Sequence, residues 1–188
     1  MSKKNKKNVV LFDKLSFYIM SCFTILAGII ALGFIFLEGV DIRYTDPDTN
    51  LAVEGYKMYT CIFGYKKEVA FNVYLLATYI LILVTLFLSI GTFVFYKFSE
   101  NKNKAQKKEP FKYLRVLYLI MFGFYLVCIA GLALSRQMFL WVNKTDLIVA
   151  AKNYIYLGSS AFIGIVALVF GAFAALKNWS IINNELKK

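Results

Sequence analysis

Thr78, Thr85, Ser89 and Thr92 stand in one apolar run, separated by seven, four and three positions. At about 100° per residue these steps keep all four hydroxyls within a narrow arc of a helix. Such a stripe either lines a narrow pore or bonds neighbouring helices and its own i−4 carbonyls. The second use is favoured, because hydroxyls alone hydrate a pore poorly. Asp46-x-Asp48-x-Asn50 matches the first three ligand positions of a calcium-binding EF-hand loop. The next position should be Gly and is Leu51, and the twelfth should be Glu and is Lys57, so an Asp-rich turn is the better reading. Asn143-Lys-Thr145 fits a glycosylation acceptor beside Trp141. The chain has no histidine, and its long apolar runs hold no Asp, Glu, Lys or Arg, the groups a proton-coupled transporter or redox enzyme normally needs there. The sequence thus offers no catalytic residue, no metal site and no cofactor site, and the protein is expected not to be an enzyme.

The elements that hold these residues follow from composition. The chain has 188 residues, enough for one domain, of which 60% are hydrophobic and 18% charged. Four stretches carry no charge: Leu15–Leu37, Val69–Tyr96, Val116–Ser135 and Asn153–Leu176. Each is about the 20 residues a helix needs to cross some 30 Å of hydrocarbon. They are apolar all round, whereas a soluble bundle carries charge on its outer faces. The expectation is an all-α membrane protein, four transmembrane helices in a bundle, with spans at about 15–37, 69–96, 113–136 and 153–176. An external loop at 38–68, a loop at 97–112, a basic segment at 1–14 and a tail at 177–188 complete the chain.

A formal net charge of +11 would suggest nucleic acid for a soluble chain. Here the excess alternates. Lys3, Lys4, Lys6, Lys7 and Lys14 face one acid, Asp13; Lys97, Lys102, Lys104, Lys107, Lys108, Lys112 and Arg115 face Glu100 and Glu109; Lys177, Lys187 and Lys188 face Glu185. The other two loops are near neutral or acidic. The positive-inside rule then places both termini and the middle loop in the cytoplasm. The first run is 23 residues and ends in Phe36-Leu37-Glu38, too long and too bulky for a cleavable signal peptide. Aromatic residues gather at both boundaries, among them Phe12, Tyr18, Tyr96, Tyr113 and Trp179 inside and Phe71, Tyr74, Trp141 and Tyr156 outside. Lysine far outnumbers arginine and asparagine is common, a bias of AT-rich bacterial genomes that weighs against glycosylation of Asn143.

Small residues recur at heptad spacing in span four: Ser160, Gly164, Ala167, Gly171 and Ala174. Span one repeats the idea with Ser21, Thr24, Gly28 and Ala31. Such seams let helix backbones approach closely, within one bundle or against another subunit. In the external loop, Val40–Tyr44 alternates apolar and polar residues, Tyr56–Phe63 is rich in aromatic and β-branched types, and a turn signal from Thr45 to Asn50 separates them. Two antiparallel strands over the outer end of the bundle are expected, held by packing on the helices because a lone hairpin is marginal. Of Cys22, Cys61 and Cys128, only Cys61 falls outside a span, so it should react with an impermeant thiol reagent, and no disulfide framework exists.

Four spans with a stranded first external loop resemble the layout of claudin-type proteins. Their loop signature of a Trp, a Gly-Leu-Trp and two cysteines is absent, and the nearest feature is Tyr59-Thr-Cys-Ile-Phe-Gly64. The resemblance therefore concerns architecture and carries no activity. The functional expectation is a bacterial cell-membrane protein without a catalytic centre: an interaction, scaffold or accessory subunit working through its external loop and helix faces. Its partners would be the lipid bilayer and a membrane protein or a second copy, with no nucleic acid. The alternative is an oligomeric channel or carrier for a small solute, lined by the span-two hydroxyls.

Overall fold

The computed structural model describes residues 3–45, 47, 52–53, 55–65, 69–100 and 104–187. Four long helices dominate it: α1 (Lys3–Gly33), α3 (Val73–Glu100), α4 (Lys104–Ala133) and α7 (Ser159–Leu186). All four are long and apolar enough to cross a membrane. At 28 to 31 residues each, they reach roughly 42–46 Å, more than hydrocarbon alone requires. Between them lie the short helices α2 (Met58–Phe63), α5 (Ser135–Val142) and α6 (Asp146–Ala151). Short strands accompany these: β1 (Glu38–Ile42), β2 (Tyr44–Thr45), β3 (Ala52–Val53), β4 (Tyr56–Lys57) and β5 (Ile155–Leu157).

Each long helix runs antiparallel to its two neighbours, and side-chain contacts fix the order around the ring. A Cβ placed on Gly164 of α7 would meet Leu132 of α4, and one on Gly171 would meet both Tyr125 of α4 and Ala27 of α1. Gly28 of α1 lies against Leu86 of α3, and Gly131 of α4 against Thr78 of α3. The ring therefore reads α1, α3, α4, α7. The pairs α4·α7 and α1·α7 are packed most extensively, and α1·α3 least among the four. Small residues on α7 fit this gradient, because they let its backbone approach α1 and α4 closely.

The helix bounds depart from the expected ones at several ends: α1 begins at Lys3, inside the expected basic segment, and ends at Gly33, and α3 runs Val73–Glu100 and not 69–96. Span four was expected at 153–176, yet its first residues leave the helix: 152–154 form a 3₁₀ turn, Ile155–Leu157 a strand, and α7 starts at Ser159. At its other end α7 continues to Leu186, so the expected tail is helix, with Asn178, Ile181 and Ile182 buried. The loop expected at 97–112 is helical from Lys104, and Pro110 sits inside α4 instead of before it. Pro110 is the seventh residue of α4, beyond the first turn, and with no N–H to donate it leaves the helix one i→i−4 bond short there.

The two connections on the side away from the termini build a joint cap. β1 is the centre of a three-stranded antiparallel sheet in the order β4-β1-β5, with Asp41 opposite Tyr156 and Val40 opposite Tyr56. The chain continues through β2 and β3, paired Tyr44 with Val53 and Thr45 with Ala52. The expected hairpin is thus present, with a third strand contributed by the connection between α4 and α7. The second strand is shorter than expected. Only Tyr56 and Lys57 are extended, and Met58–Phe63 turns into α2, which buries Met58, Thr60, Cys61 and Ile62. Burial of four of its six residues decides the conformation over β-propensity, which is weak and context-dependent. Two glycines make the sheet possible: a Cβ on Gly158 would come 2.2 Å from the Glu38 carbonyl oxygen, and one on Gly55 2.5 Å from that of Val40.

Candidate functional site

The four stripe hydroxyls all point into the chain's own interior. Thr78 donates to the Tyr74 carbonyl at 3.1 Å, Thr85 to Leu81 at 2.7 Å, Ser89 to Thr85 at 2.8 Å and Thr92 to Ser89 at 3.0 Å. Their outer neighbours belong to α4. Ser89 lies 3.3 Å from the Tyr125 hydroxyl, and Ser89 and Thr92 both reach the Met121 sulfur. A stripe buried in this way presents no face to a second copy of the chain. The hydroxyls are spent on backbone carbonyls and on one neighbouring helix.

The span-four seam is equally internal. Ser160, Gly164, Ala167, Gly171 and Ala174 are all buried. Ser160 shares a hydrogen bond with Tyr79 at 3.4 Å, while Gly164 and Gly171 receive Leu132 and Tyr125. Around the seam lies a polar core that sequence reasoning missed. Tyr118 and Tyr125 are fully buried and reach across the bundle to α1. The Tyr125 hydroxyl donates to the Thr24 carbonyl at 2.7 Å, and Tyr118 lies 3.4 Å from the Ser21 hydroxyl. Asn178 donates its amide to Ser21 at 3.0 Å, and its own side-chain oxygen has no hydrogen-bond partner among the described residues. The signal that pointed here was tyrosine placed mid-run in span three, away from either boundary, where its hydroxyl must find a partner in the bundle.

At the end carrying the termini, α1 meets α3 through charge and rings. Lys14 pairs with Glu100 at 2.7 Å, and Tyr18 donates to the same carboxylate. Phe17 stacks on Tyr96 with centroids 3.7 Å apart, and Tyr96 stacks on Phe111. A pocket of about 50 Å³ opens beside them, lined by Lys14, Tyr96, Glu100, Lys107, Phe111, Ile181 and Glu185. Its volume suits one or two water molecules and no organic substrate.

The cap end is held by three polar residues that each span two elements. Asn72 caps α3 by accepting from the Tyr74 and Leu75 amides, and donates to the Met138 carbonyl at 2.9 Å. Asn143 accepts from the Ala70 amide at 2.6 Å and donates to the Phe139 carbonyl at 2.9 Å. Arg136 donates to the Ile155 carbonyl at 2.6 Å and to the Lys152 carbonyl at 3.0 Å. Because Arg43 and Gly158 bond across the β1–β5 ladder through Tyr154 and Gly39, the Ile155 carbonyl points to the outer edge of β5. Arg136 therefore covers part of a sheet edge that would otherwise be an open template for pairing. Asn143 is only 3% exposed, with its side-chain nitrogen and oxygen both engaged, so the glycosylation pattern falls on a structural latch.

Cys61 corrects an expectation. It lies in the cap, outside the long helices, yet it is fully buried on the inner face of α2 and donates weakly to the Tyr56 carbonyl at 3.6 Å. Burial pushes its thiol up from 9.0 to about 12. It should not react with an impermeant reagent in the folded protein. Asp46, Asp48 and Asn50 lie outside the described residues, and among the described residues no cluster of His, Cys, Asp or Glu could hold a metal ion. On its exposed side the cap carries Phe36, Tyr59, Phe63 and Tyr65, with the Phe36 and Tyr59 rings 6.0 Å apart. Neither a protein-family model, nor a curated protein, nor a solved structure matches this chain.

Proposed function

We propose that the protein is a non-enzymatic accessory or scaffold subunit of a bacterial cell membrane, crossing it four times with both termini cytoplasmic and engaging a membrane-protein partner through its external cap. The carrying observation is the construction of the cap. Both connections on that side are woven into one sheet and latched to the helices by Asn72, Asn143 and Arg136. That rigid platform displays exposed aromatic side chains, with Phe63 at 60%. Rigid, outward aromatics are the residues from which interaction hot spots are built. Charge supports the orientation: the whole excess of +11 lies at the end of the termini, and the cap end holds seven basic and seven acidic residues.

The test replaces Tyr59 and Phe63 with serine in the full-length protein, expressed in its membrane. Proteins cross-linked to the wild type at the cap should disappear from the double variant, while its thermal midpoint in detergent stays within about 2 °C. Reconstituted liposomes should hold their ions and solutes. Leakage dependent on the protein, or a cross-linking pattern unaffected by the double substitution, would defeat this reading.

A further inference from the structure

We propose that the exposed face of α4 that flanks α7, at the end carrying the termini, binds the headgroup of an anionic phospholipid. The inference rests on the membrane reading and adds a specific ligand to it. Lys108, Lys112 and Arg115 succeed one another on α4 at spacings of four and three, which places them in one row on one face. All three are exposed. Arg115 stands at the α7 flank, where its guanidinium donates to the Asn183 side-chain oxygen at 3.4 Å. That long bond leaves the remaining guanidinium donors for a ligand. Lys187, one turn beyond Asn183, adds a fourth exposed cation from the α7 side. The acid nearby, Glu109, pairs with Lys112 at 2.6 Å in an exposed i,i+3 pair that a phosphate can displace at little cost.

The apolar continuation of the same face distinguishes a lipid from a free anion. Beyond Arg115 the α4 row continues as Leu119, Gly123 and Leu126. Leu119 and Leu126 are exposed, and a Cβ on Gly123 would meet nothing within 4 Å. On the neighbouring α7, Leu176 is exposed and Trp179 half-buried, one turn from Asn183. The cationic row is therefore continuous with an exposed apolar strip that has an open position at Gly123. That sequence of chemistries fits a molecule with a phosphate at one end and hydrocarbon at the other. Topology alone explains how many lysines stand at this end. It does not require three cations in one row that runs into an exposed apolar strip.

The experiment compares retention of phosphatidylglycerol and phosphatidylcholine by the detergent-purified protein, read as bound adducts in native mass spectrometry. Each removed charge should weaken headgroup attraction roughly fivefold near a surface. The triple variant Lys108→Gln, Lys112→Gln, Arg115→Gln should lose at least about tenfold of its phosphatidylglycerol adducts. The control Lys3→Gln, Lys4→Gln, Lys6→Gln, with the same loss of charge, should stay within about twofold of the wild type. Inorganic phosphate at matched concentration should not displace the lipid. Equal retention of both lipids by the wild type, equal loss in both triple variants, or displacement by inorganic phosphate would each overturn the proposal. If the triple variant does not fold, Arg115→Gln alone should reduce adducts about fivefold, and unchanged adducts would overturn it too. Failure of the membrane reading would show separately, as a protein that stays monodisperse without detergent.

Discussion

Adding a single methyl group to Gly171 should destabilise this protein more than the same change at Gly164 or Gly123. The new Cβ would stand 2.7 Å from Cε1 and 2.9 Å from Cζ of Tyr125, and 2.8 Å from the Ala27 Cβ. Ala27 is short and fixed to its backbone, so it cannot swing away. Tyr125 is fully buried and anchored, with its hydroxyl on the Thr24 carbonyl at 2.7 Å and beside Ser89 at 3.3 Å. Relief requires either a separation of α7 from α1 or a rotation of Tyr125 away from its acceptor. Overpacking of this kind costs about 1–3 kcal/mol, and an interhelical bond in lipid is worth about 0.6 kcal/mol, with a maximum near 1.7. The helix propensity of alanine returns up to about 1 kcal/mol. The expected net loss is thus about 1–3 kcal/mol.

Two other glycines calibrate the reasoning. At Gly164 the nearest atom is the Leu132 Cδ1 at 2.7 Å, the far end of a flexible side chain, so Gly164→Ala should cost less than about 1 kcal/mol. At Gly123 there is open space, and Gly123→Ala should be neutral or stabilising. Thermal midpoints in one detergent, read by fluorescence-detected size exclusion after heating, should rank the variants Gly171→Ala lowest and Gly123→Ala highest. Equal midpoints for Gly171→Ala and Gly123→Ala would refute the placement of the seam between α1 and α4.

Asn143→Ala should strand the Ala70 amide and lose a donor to Phe139, lowering stability by about 1–3 kcal/mol in a thermal melt, and the wild-type chain made in a glycosylating host should show no mass increase at Asn143. Cys61 should resist an impermeant thiol reagent until the protein is denatured; labelling of folded protein would show that the cap opens. Because the folded thiol lies near 12 and the ordinary value is 9.0, the unfolded chain ionises first. Stability should hold below pH 9 and fall between pH 9 and about 12, and Cys61→Ala should remove that part of the alkaline loss in pH-dependent melts. Arg136→Gln should release the Ile155 and Lys152 carbonyls and cost about 1–3 kcal/mol, with faster amide exchange confined to β5 and its flanks.

The sequence was most legible where lipid-scale constraints act on composition alone. Long charge-free runs announce helices long and apolar enough to cross a membrane, because hydrocarbon tolerates neither open backbone groups nor unpaired charge. The hairpin was legible for a local reason: alternation on both sides of a turn signal. The third strand was not. Ile155–Leu157 continues an apolar run without a break, and what makes it a strand is β1, more than a hundred residues earlier. Its one local trace is Gly158, whose missing side chain admits the Glu38 carbonyl. The far end of α7 failed for the opposite reason. Asn178, Asn183 and Asn184 look like a polar tail, yet Ile181 and Ile182 keep the helix on the bundle and carry Asn178 inside with it.

Cys61 shows the deeper limit. Sequence position told correctly which connection holds it, but exposure depends on what folds over that connection. A loop of this size must satisfy its own backbone, and here it does so by recruiting the second connection into a shared sheet and burying one face of α2 against the bundle. Residues that seem available on a loop are then interior, while helix residues such as Cys22, deep in an apolar run, are exposed on the bundle surface. In a membrane protein, hydrophobicity no longer separates inside from outside, so the run that reveals a span conceals its faces. Polar atoms restore the distinction. Tyr118, Tyr125, Ser89 and Asn178 must face the bundle because lipid offers them no partner, and from those four positions the rotation of α3, α4 and α7 follows.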